Sequence, residues 1–203
     1  MEITWLGHAC FLLEEEGYRL LLDPYDEEVP YPPLHVQAHE VLCSHGHHDH
    51  AHRAAAELLP PAKSPFTVRT VKTFHDDCGG AKRGENTVHI LTAGGVTVAH
   101  LGDLGHALTP VQAEAIGPCD VLLVPVGGTY TLDGKGAVEA VRALKPRTAV
   151  PMHYRHAPYG LEVLDGVEPF LKAFPAEQVR RLPSNRFTVS KELPLVLALS
   201  WNP

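Results

Sequence analysis

The segment Cys43-Ser44-His45-Gly46-His47-His48-Asp49-His50 places four metal-ligand side chains, His45, His47, Asp49 and His50, within six positions. It lies between an apolar run and an alanine-rich stretch. Crowded imidazoles lose solvation and repel one another once protonated, and a metal ion relieves both penalties because it binds the neutral ring. Gly46 gives the backbone the freedom to turn two histidines inward together. An exposed histidine-rich turn is the alternative, but the dense spacing favours a metal-binding loop, with His48 facing away.

Short apolar runs bounded by turn residues recur along the chain and predict strands. The predicted strands cover residues 2–6, 10–13, 18–23, 36–43, 66–74, 87–92, 96–101, 120–126, 148–152, 186–190 and 195–200. The predicted helices cover residues 52–59, 136–144 and 163–174. Strands in mixed blocks with helices between them predict two mixed sheets packed face to face with helices outside. We expect residues 1–203 to form this α/β sandwich as a single domain.

Three more ligand-type residues, His75, Asp103 and His153, each follow a predicted strand. One short loop cannot close a pair of metal sites by itself, because a zinc ion takes about four ligands. Singly, each of the three could be an ordinary turn or surface residue, since polar residues gather in loops. Their recurrence at successive strand ends favours a role for all three as metal ligands.

The composition is that of a globular, acidic protein. Of the 203 residues, 44% are hydrophobic and 20% charged, and the formal net charge is −7. Nucleic-acid phosphates require Lys and Arg, so no nucleic-acid partner is expected. The N-terminus lacks the pattern of a signal peptide, and no apolar run approaches the ~20 residues of a membrane span. We therefore expect a cytoplasmic protein without a membrane span, and the sequence does not indicate its oligomeric state.

The order of ligands resembles the metallo-β-lactamase superfamily, in which a His-x-His-x-Asp-His motif precedes a His, an Asp and a His. The resemblance extends to the stretches Thr4-Trp5-Leu6-Gly7-His8-Ala9, Leu22-Asp23-Pro24, Thr73-Phe74-His75-Asp76 and His100-Leu101-Gly102-Asp103-Leu104-Gly105-His106. These are similar to the short branch of L-ascorbate-6-phosphate lactonase-like proteins and uncharacterised Zn-dependent hydrolases. The first stretch is also similar to N-acyl-phosphatidylethanolamine phospholipase D. The motif is specific for the superfamily and weak for the substrate.

The resemblance implies a four-layer αββα sandwich that binds two divalent metal ions, zinc first and manganese or iron as alternatives. It implies one ion on His45, His47 and His75. It implies a second ion on Asp49, His50 and His153, with Asp103 bridging the two. His89 and His100 are alternatives to His75, but both lie inside predicted strands. The chain departs from the pattern at Ala51-His52-Arg53, where Gly-Gly often follows the motif, and it is too short for the inserted domain of the RNA-processing members.

The implied reaction is hydrolysis of a small anionic molecule at a phosphodiester or lactone bond by a metal-activated hydroxide. Asp49 is expected to orient the nucleophile as well as to bind metal. His8 is the favoured proton donor to the leaving group, ahead of Tyr154, His106 and His156, because it ends the first strand in a Gly-His turn. A structural role for His8 beside the metal is an equally good interpretation.

The loop Gly79-Gly80-Ala81-Lys82-Arg83-Gly84 follows His75 and is both glycine-rich and basic. Lys82 and Arg83 are predicted to hold an anionic group of the substrate, because both side chains bind phosphate and carboxylate well. Tyr154 is predicted to be a third substrate-binding residue. A solvated hairpin tip is the alternative interpretation of the loop.

Two other functions compete with hydrolysis. The first is a non-catalytic metal-binding protein or sensor, and the second is an iron redox member of the superfamily. Structural zinc sites are normally closed and cysteine-rich, whereas this predicted site is cysteine-free, which favours an open catalytic site. A redox member would need a flavin partner or domain, for which this chain has no room.

Overall fold

The computed structural model describes residues 1–201, which form fourteen strands, three α-helices and two 3₁₀ turns. The strands are β1 (Glu2–Gly7), β2 (Cys10–Glu15), β3 (Tyr18–Leu22), β4 (Val36–Ala38), β5 (Glu40–Leu42), β6 (Ala56–Leu58), β7 (Thr67–Phe74), β8 (Glu85–Ala93), β9 (Val96–His100), β10 (Val121–Pro125), β11 (Thr148–Met152), β12 (Val179–Leu182), β13 (Arg186–Thr188) and β14 (Val196–Leu199). The helices are α1 (Pro110–Ile116), α2 (Gly134–Leu144) and α3 (Glu168–Leu171). The 3₁₀ turns are Arg53–Ala55 and Ala176–Gln178.

Two large sheets face each other across one hydrophobic core. The first has the strand order β13-β1-β2-β3-β5 and the second the order β12-β14-β11-β10-β9-β8-β7. Trp5 and Phe11 of the first sheet and Ile90 and Leu122 of the second belong to the same buried cluster. Strands β10 and β11 are buried along their whole length, as their continuous apolar runs predict. The predicted pair of mixed sheets is therefore confirmed.

The α-helices that contact strands pack on the seven-stranded sheet, with α1 against β7 and α2 against β10. Helix α2 begins where the Asp133 side chain accepts the Gly136 N–H at 2.7 Å, two residues before the predicted start. Helix α1 was not predicted, although Thr109 and Gln112 form a capping box around Pro110, which is a sequence signal for a helix start. No helix in residues 1–201 is long and apolar enough to span a bilayer.

The predicted helix at residues 52–59 is wrong. The segment forms the turn Arg53–Ala55 and then strand β6, which pairs in parallel with β4. Eight residues are too few for a stable helix without a packed apolar face, and Leu58 is 68% exposed. Pairing with β4 satisfies the backbone instead.

Two other predicted elements also differ from the structure. The predicted strand 36–43 is divided into β4 and β5, which pair with β6 and β3 in separate sheets. It breaks at His39, whose Nδ1 accepts the Arg19 N–H at 3.0 Å. The predicted helix 163–174 contracts to α3, because Gly166 is a poor helix former and Pro169 is tolerated only in the first turn, where α3 places it. The edge strand β12 was not predicted.

Polar residues follow six of the strands at one edge of the sandwich. They are His8 after β1, Asp23 after β3, the Ser44-to-His50 segment after β5, His75 after β7, Asp103 after β9 and His153 after β11. Most of these strands run parallel to a neighbour, and parallel strands end at the same edge of a sheet. The fold thus turns residues far apart in sequence into one cluster.

Gly102 lies between the end of β9 and Asp103, and its backbone conformation sets the position of Asp103 in that cluster. Its φ is +55°, and a Cβ built there would lie 2.4 Å from Asn86 Oδ1 and 2.5 Å from Ser44 Cβ. We expect Gly102→Ala to lower the free energy of unfolding by about 2–4 kcal/mol, through backbone strain and overpacking together. Gly95→Ala is the matched control, because Gly95 has φ +75° but nothing within 4 Å of its Cβ position. Equal losses for the two variants in urea unfolding would contradict this account.

Candidate metal centre

Eight side chains converge at the strand ends in two groups that share a carboxylate. The outer group contains His45, His47 and His75, and the inner group contains His8, Asp49, His50 and His153. Within each group the candidate ligand atoms all lie within 4.8 Å of one another. Asp103 stands between them, because its Oδ2 is 3.1 Å from His75 Nε2 and its Oδ1 is 3.1 Å from His50 Nε2. The predicted ligands therefore lie together, and His8 lies with them.

Several atoms of this cluster are buried without a hydrogen-bond partner in residues 1–201. They are the Nε2 atoms of His45, His50 and His153 and the Oδ1 atom of Asp103. His153 Nε2, for example, lies 3.2 Å from Asp103 Oδ2 but without hydrogen-bond geometry. Buried polar atoms are nearly always paired, so a convergent set of orphans needs an explanation. Imidazole and carboxylate donors directed at shared points fit divalent metal ions.

The protonation states of the candidate ligands suit metal binding. Burial lowers the pKa of His45 to about 3 and that of His8 to about 4, so both rings are neutral near pH 7 and keep a lone pair for a metal. His50 differs, because burial opposes its charged form but the carboxylates of Asp103 and Asp23 outweigh it and raise its pKa. Two buried carboxylates thus require a positive charge at this place, which is the charge a divalent cation carries.

Asp23 binds the nitrogen of the His50 ring that faces away from Asp103. The carboxylate is fully buried, and its Oδ2 accepts the His50 Nδ1–H at 2.8 Å. The Ser44 N–H and hydroxyl donate to the same carboxylate at 2.6 Å each. This contact fixes the His50 tautomer and directs Nε2 towards Asp103. No role for Asp23 was predicted, although a lone Asp directly after the buried run of β3 was a usable signal.

Asn86 holds Asp103 in the same way. Its Oδ1 accepts the Asp103 N–H at 2.9 Å, and its Nδ2 donates to Leu101 O at 2.9 Å and to Thr73 Oγ1 at 2.8 Å. All the hydrogen-bonding capacity of this buried amide is directed at the β9 terminus and its neighbours. Asn86 was not predicted either, because an Asn within a strand gives no local signal of a distant partner.

The structure places His75, not His89 or His100, with the ligands. His75 Nδ1 lies 3.2 Å from Tyr130 O, which leaves Nε2 facing Asp103. His89 Nε2 lies 3.1 Å from Cys43 O and His100 Nε2 lies 2.9 Å from Ala9 O, so both rings are committed to backbone carbonyls. Neither belongs to a ligand group.

A cavity of about 430 Å³ opens onto the outer group. Its wall is formed by Glu28, His47, His48, Asp49, His75, Arg83, Asp103, Tyr130 and Leu161. Glu28, Tyr130 and Leu161 come from three loops that the sequence did not connect with the site. His48 lines the cavity instead of facing away from it, but it lies outside the ligand groups, and its Nδ1 lies 3.0 Å from Asp26 Oδ1.

The predicted substrate-binding residues separate into three cases. Arg83 lines the cavity, with its guanidinium 5.4 Å from the centre of the Tyr130 ring. Lys82 does not line it, since its Nζ lies 3.3 Å from Asp77 Oδ1 in the solvent-exposed part of the loop. Tyr154 is 1% exposed, stacks on Trp5 and donates its hydroxyl to Leu199 O at 3.4 Å. Tyr154 therefore lies in the core and away from the cavity wall, which argues against the predicted substrate contact.

The predicted proton donors are also absent from the cavity wall. His8 is 0% exposed, and a group that protonates a leaving group must reach the substrate. His106 Nε2 accepts the Phe74 N–H at 3.1 Å, and the His156 ring packs edge-on against Trp5. The location of His8 therefore argues against the general-acid role.

A single carboxylate organises the loop that carries Arg83. Asp76 accepts the backbone N–H groups of Cys78, Gly80, Lys82 and Arg83 at 2.8–2.9 Å. Burial raises the pKa of Asp76, but these four donors outweigh it and hold the pKa below the usual range. Asp76 adjoins the ligand His75, so the loop and the metal ligand are held as one unit.

Comparison with known proteins shows which family the chain belongs to. Residues 2–153 match the family described as Beta-lactamase superfamily domain. The UPF0173 metal-dependent hydrolases of Carboxydothermus hydrogenoformans and Archaeoglobus fulgidus are 33% and 32% identical, over 78% of this chain and 86% and 85% of theirs. A crystal structure from Thermotoga maritima, assigned as a Zn-dependent hydrolase of the metallo-beta-lactamase superfamily, superposes with a TM-score of 0.78. It is 38% identical, over 98% of this chain and 97% of that one.

The chain belongs to the beta-lactamase superfamily, within a family of metal-dependent hydrolases. The predicted superfamily and its αββα sandwich fold are thereby confirmed.

The contact between Asp23 and His50 gives a testable prediction. We expect Asp23→Asn to weaken zinc binding about 10- to 100-fold, because the buried charge that orients His50 is lost. Asp26→Asn should leave zinc affinity unchanged, since Asp26 contacts His48, outside the ligand groups. Competition with a chromophoric chelator measures both, and an unchanged affinity in Asp23→Asn would contradict the orienting role.

Proposed function

We propose that this protein is a dinuclear metallohydrolase that cleaves a small anionic substrate at a phosphodiester or lactone bond. The observation that carries the proposal is the pair of ligand groups sharing Asp103, with unpartnered Nε2 atoms directed into both. His45, His47 and His75 would hold one ion, and Asp49, His50 and His153 the other, with Asp103 between them. Zinc suits imidazole with carboxylate, as do manganese and iron.

The residues around the cavity support hydrolysis over a storage or sensor role. Divalent ions held at such a site supply Lewis acidity, which makes water a stronger nucleophile at neutral pH. Asp49 lies on the cavity wall with its side chain 15% exposed. Its carboxylate can therefore accept a hydrogen bond from the attacking water and orient it. A structural metal site would be closed, whereas this one adjoins a cavity of about 430 Å³.

The far wall of the cavity supports an anionic substrate. Arg83 is fixed on the ring of Tyr130 and donates through Nη2 to Thr129 O at 3.3 Å, which leaves other guanidinium N–H groups for a ligand. A guanidinium of this kind binds phosphate or carboxylate in a defined orientation. The cavity volume suits a small molecule, and Leu161 adds one apolar contact.

The first test is metal content. We expect about two zinc ions per chain after reconstitution, and we expect Asp103→Ala to lose both, because it removes the shared carboxylate. Asp77→Ala is the control, since Asp77 is exposed and lies outside the ligand groups. Elemental analysis of the desalted proteins measures the content. A wild-type content near zero, or full retention in Asp103→Ala, would count decisively against the proposal.

The second test separates the two basic residues of the loop. We expect Arg83→Ala to raise KM for an anionic substrate about 10- to 100-fold with little change in kcat, as for loss of a charge-assisted hydrogen bond made equally before and during the reaction. Lys82→Ala should change neither constant, because Lys82 faces Asp77. Steady-state kinetics on a panel of phosphodiesters and phosphorylated lactones would measure this. Better turnover of neutral esters or β-lactams than of any anionic compound would refute the substrate class.

A further inference from the structure

His8 is buried in the inner group with a backbone conformation that is uncommon for residues other than glycine. It stands in the turn between β1 and β2 with φ +51°, and His153 stands after β11 with φ +52°. The His153 N–H donates to His8 O at 3.0 Å, and the two ring centroids are 4.0 Å apart. Left-handed backbone at a residue other than glycine is uncommon and concentrates at functional sites. The two histidines share this backbone conformation, and their rings lie side by side in the inner group.

The distances around His8 have the form of a coordination shell. Its Nε2 lies 3.3 Å from Asp49 Oδ2, and His50 Nε2 lies 3.7 Å from the same oxygen. Donor atoms on a tetrahedral zinc ion, with bonds of about 2.0–2.1 Å, are roughly 3.3 Å apart. A charge-assisted N–H···O hydrogen bond would be shorter, at about 2.7–2.9 Å.

We propose that His8 is a ligand of the inner metal ion and completes a four-residue site with Asp49, His50 and His153. The inference rests on the two metal positions of the proposed function and adds a ligand to one of them. The alternative is that His8 only donates a hydrogen bond to Asp49. His8 is 0% exposed and away from the cavity wall, so contact with substrate is not available to it in either case.

The assignment gives the two positions different tasks. With His8 and the shared Asp103 the inner position has five protein ligands, of which only Asp49 and Asp103 lie on the cavity wall, while His8, His50 and His153 are buried away from it. The outer position has three histidines, of which His47 and His75 line the cavity, and so keeps room for water and substrate. The outer ion then faces the substrate, and the inner ion completes the charge balance around Asp103.

Substitutions at His8 distinguish its role as a metal ligand from a role as hydrogen-bond donor to Asp49. A glutamine side chain can still donate to Asp49 but binds zinc poorly, so we expect both His8→Gln and His8→Ala to fall from about two zinc ions per chain to about one. His52→Ala, which removes a nearby histidine outside the ligand groups, should keep two. If His8→Gln retains two ions with unchanged affinity, His8 is not a ligand. A cooperative thermal transition in each variant confirms that it is folded.

A measurement on the wild-type protein tests the same point without mutation. In protein labelled with ¹⁵N-histidine and loaded with ¹¹³Cd²⁺, one-bond couplings count the imidazoles on each ion. We expect two cadmium signals, each coupled to three nitrogens. If one cadmium signal is coupled to three nitrogens and the other to two, His8 is not a ligand, and the proposed function stands. A single cadmium signal would overturn both the two-metal proposal and this inference.

Discussion

The carboxylate of Asp103 is buried among three imidazoles, and the arrangement of the whole site depends on it. Its oxygens lie 3.1–3.2 Å from the Nε2 atoms of His50, His75 and His153. A buried carboxylate is costly unless positive charge and hydrogen bonds surround it, and a second one, Asp23, lies on the other side of His50. The pair sets a requirement for positive charge that one protonated imidazole meets in part and a divalent cation meets better.

The sandwich meets this requirement because its strands end together. The imidazoles that contact Asp103 come from three different elements: His50 lies on the loop after β5, His75 follows β7, and His153 follows the fully buried strand β11. The strained backbone at His8 and His153 and the crowded Gly102 are tolerated because the core between the sheets fixes the strands on either side. Four of the candidate ligands lie on the loop after β5, which is held where Asp23 accepts hydrogen bonds from Ser44 and His50.

The cluster of candidate ligands could be predicted from sequence because His75, Asp103 and His153 each follow a predicted strand, and strand ends in such folds meet at one edge. The contacts behind them could not. Asp23 reaches Ser44 and His50 across 21 and 27 positions, and Asn86 reaches Asp103 across 17, so only the assembled sheets reveal these pairs. Burial of individual side chains could not be predicted either. Tyr154 was expected to bind substrate, but it is a core residue. The helix expected at residues 52–59 failed because pairing with β4 outweighed its alanine content.

The adjacency of His75 and Asp76 couples the candidate metal centre to the cavity wall that carries Arg83. His75 lies in the outer ligand group, while the next residue gathers four backbone N–H groups and so sets the path of the loop to Arg83. Gly105 packs against both, since a Cβ there would lie 2.5 Å from His75 C and Asp76 N. The backbone path from His75 to Arg83 is therefore fixed, and the guanidinium at its end is placed by its contacts with the Tyr130 ring and Thr129 O. For the substrate class proposed above, such a site would select by the distance between the bond to be cleaved and the anionic group, and would tolerate variation in what joins them.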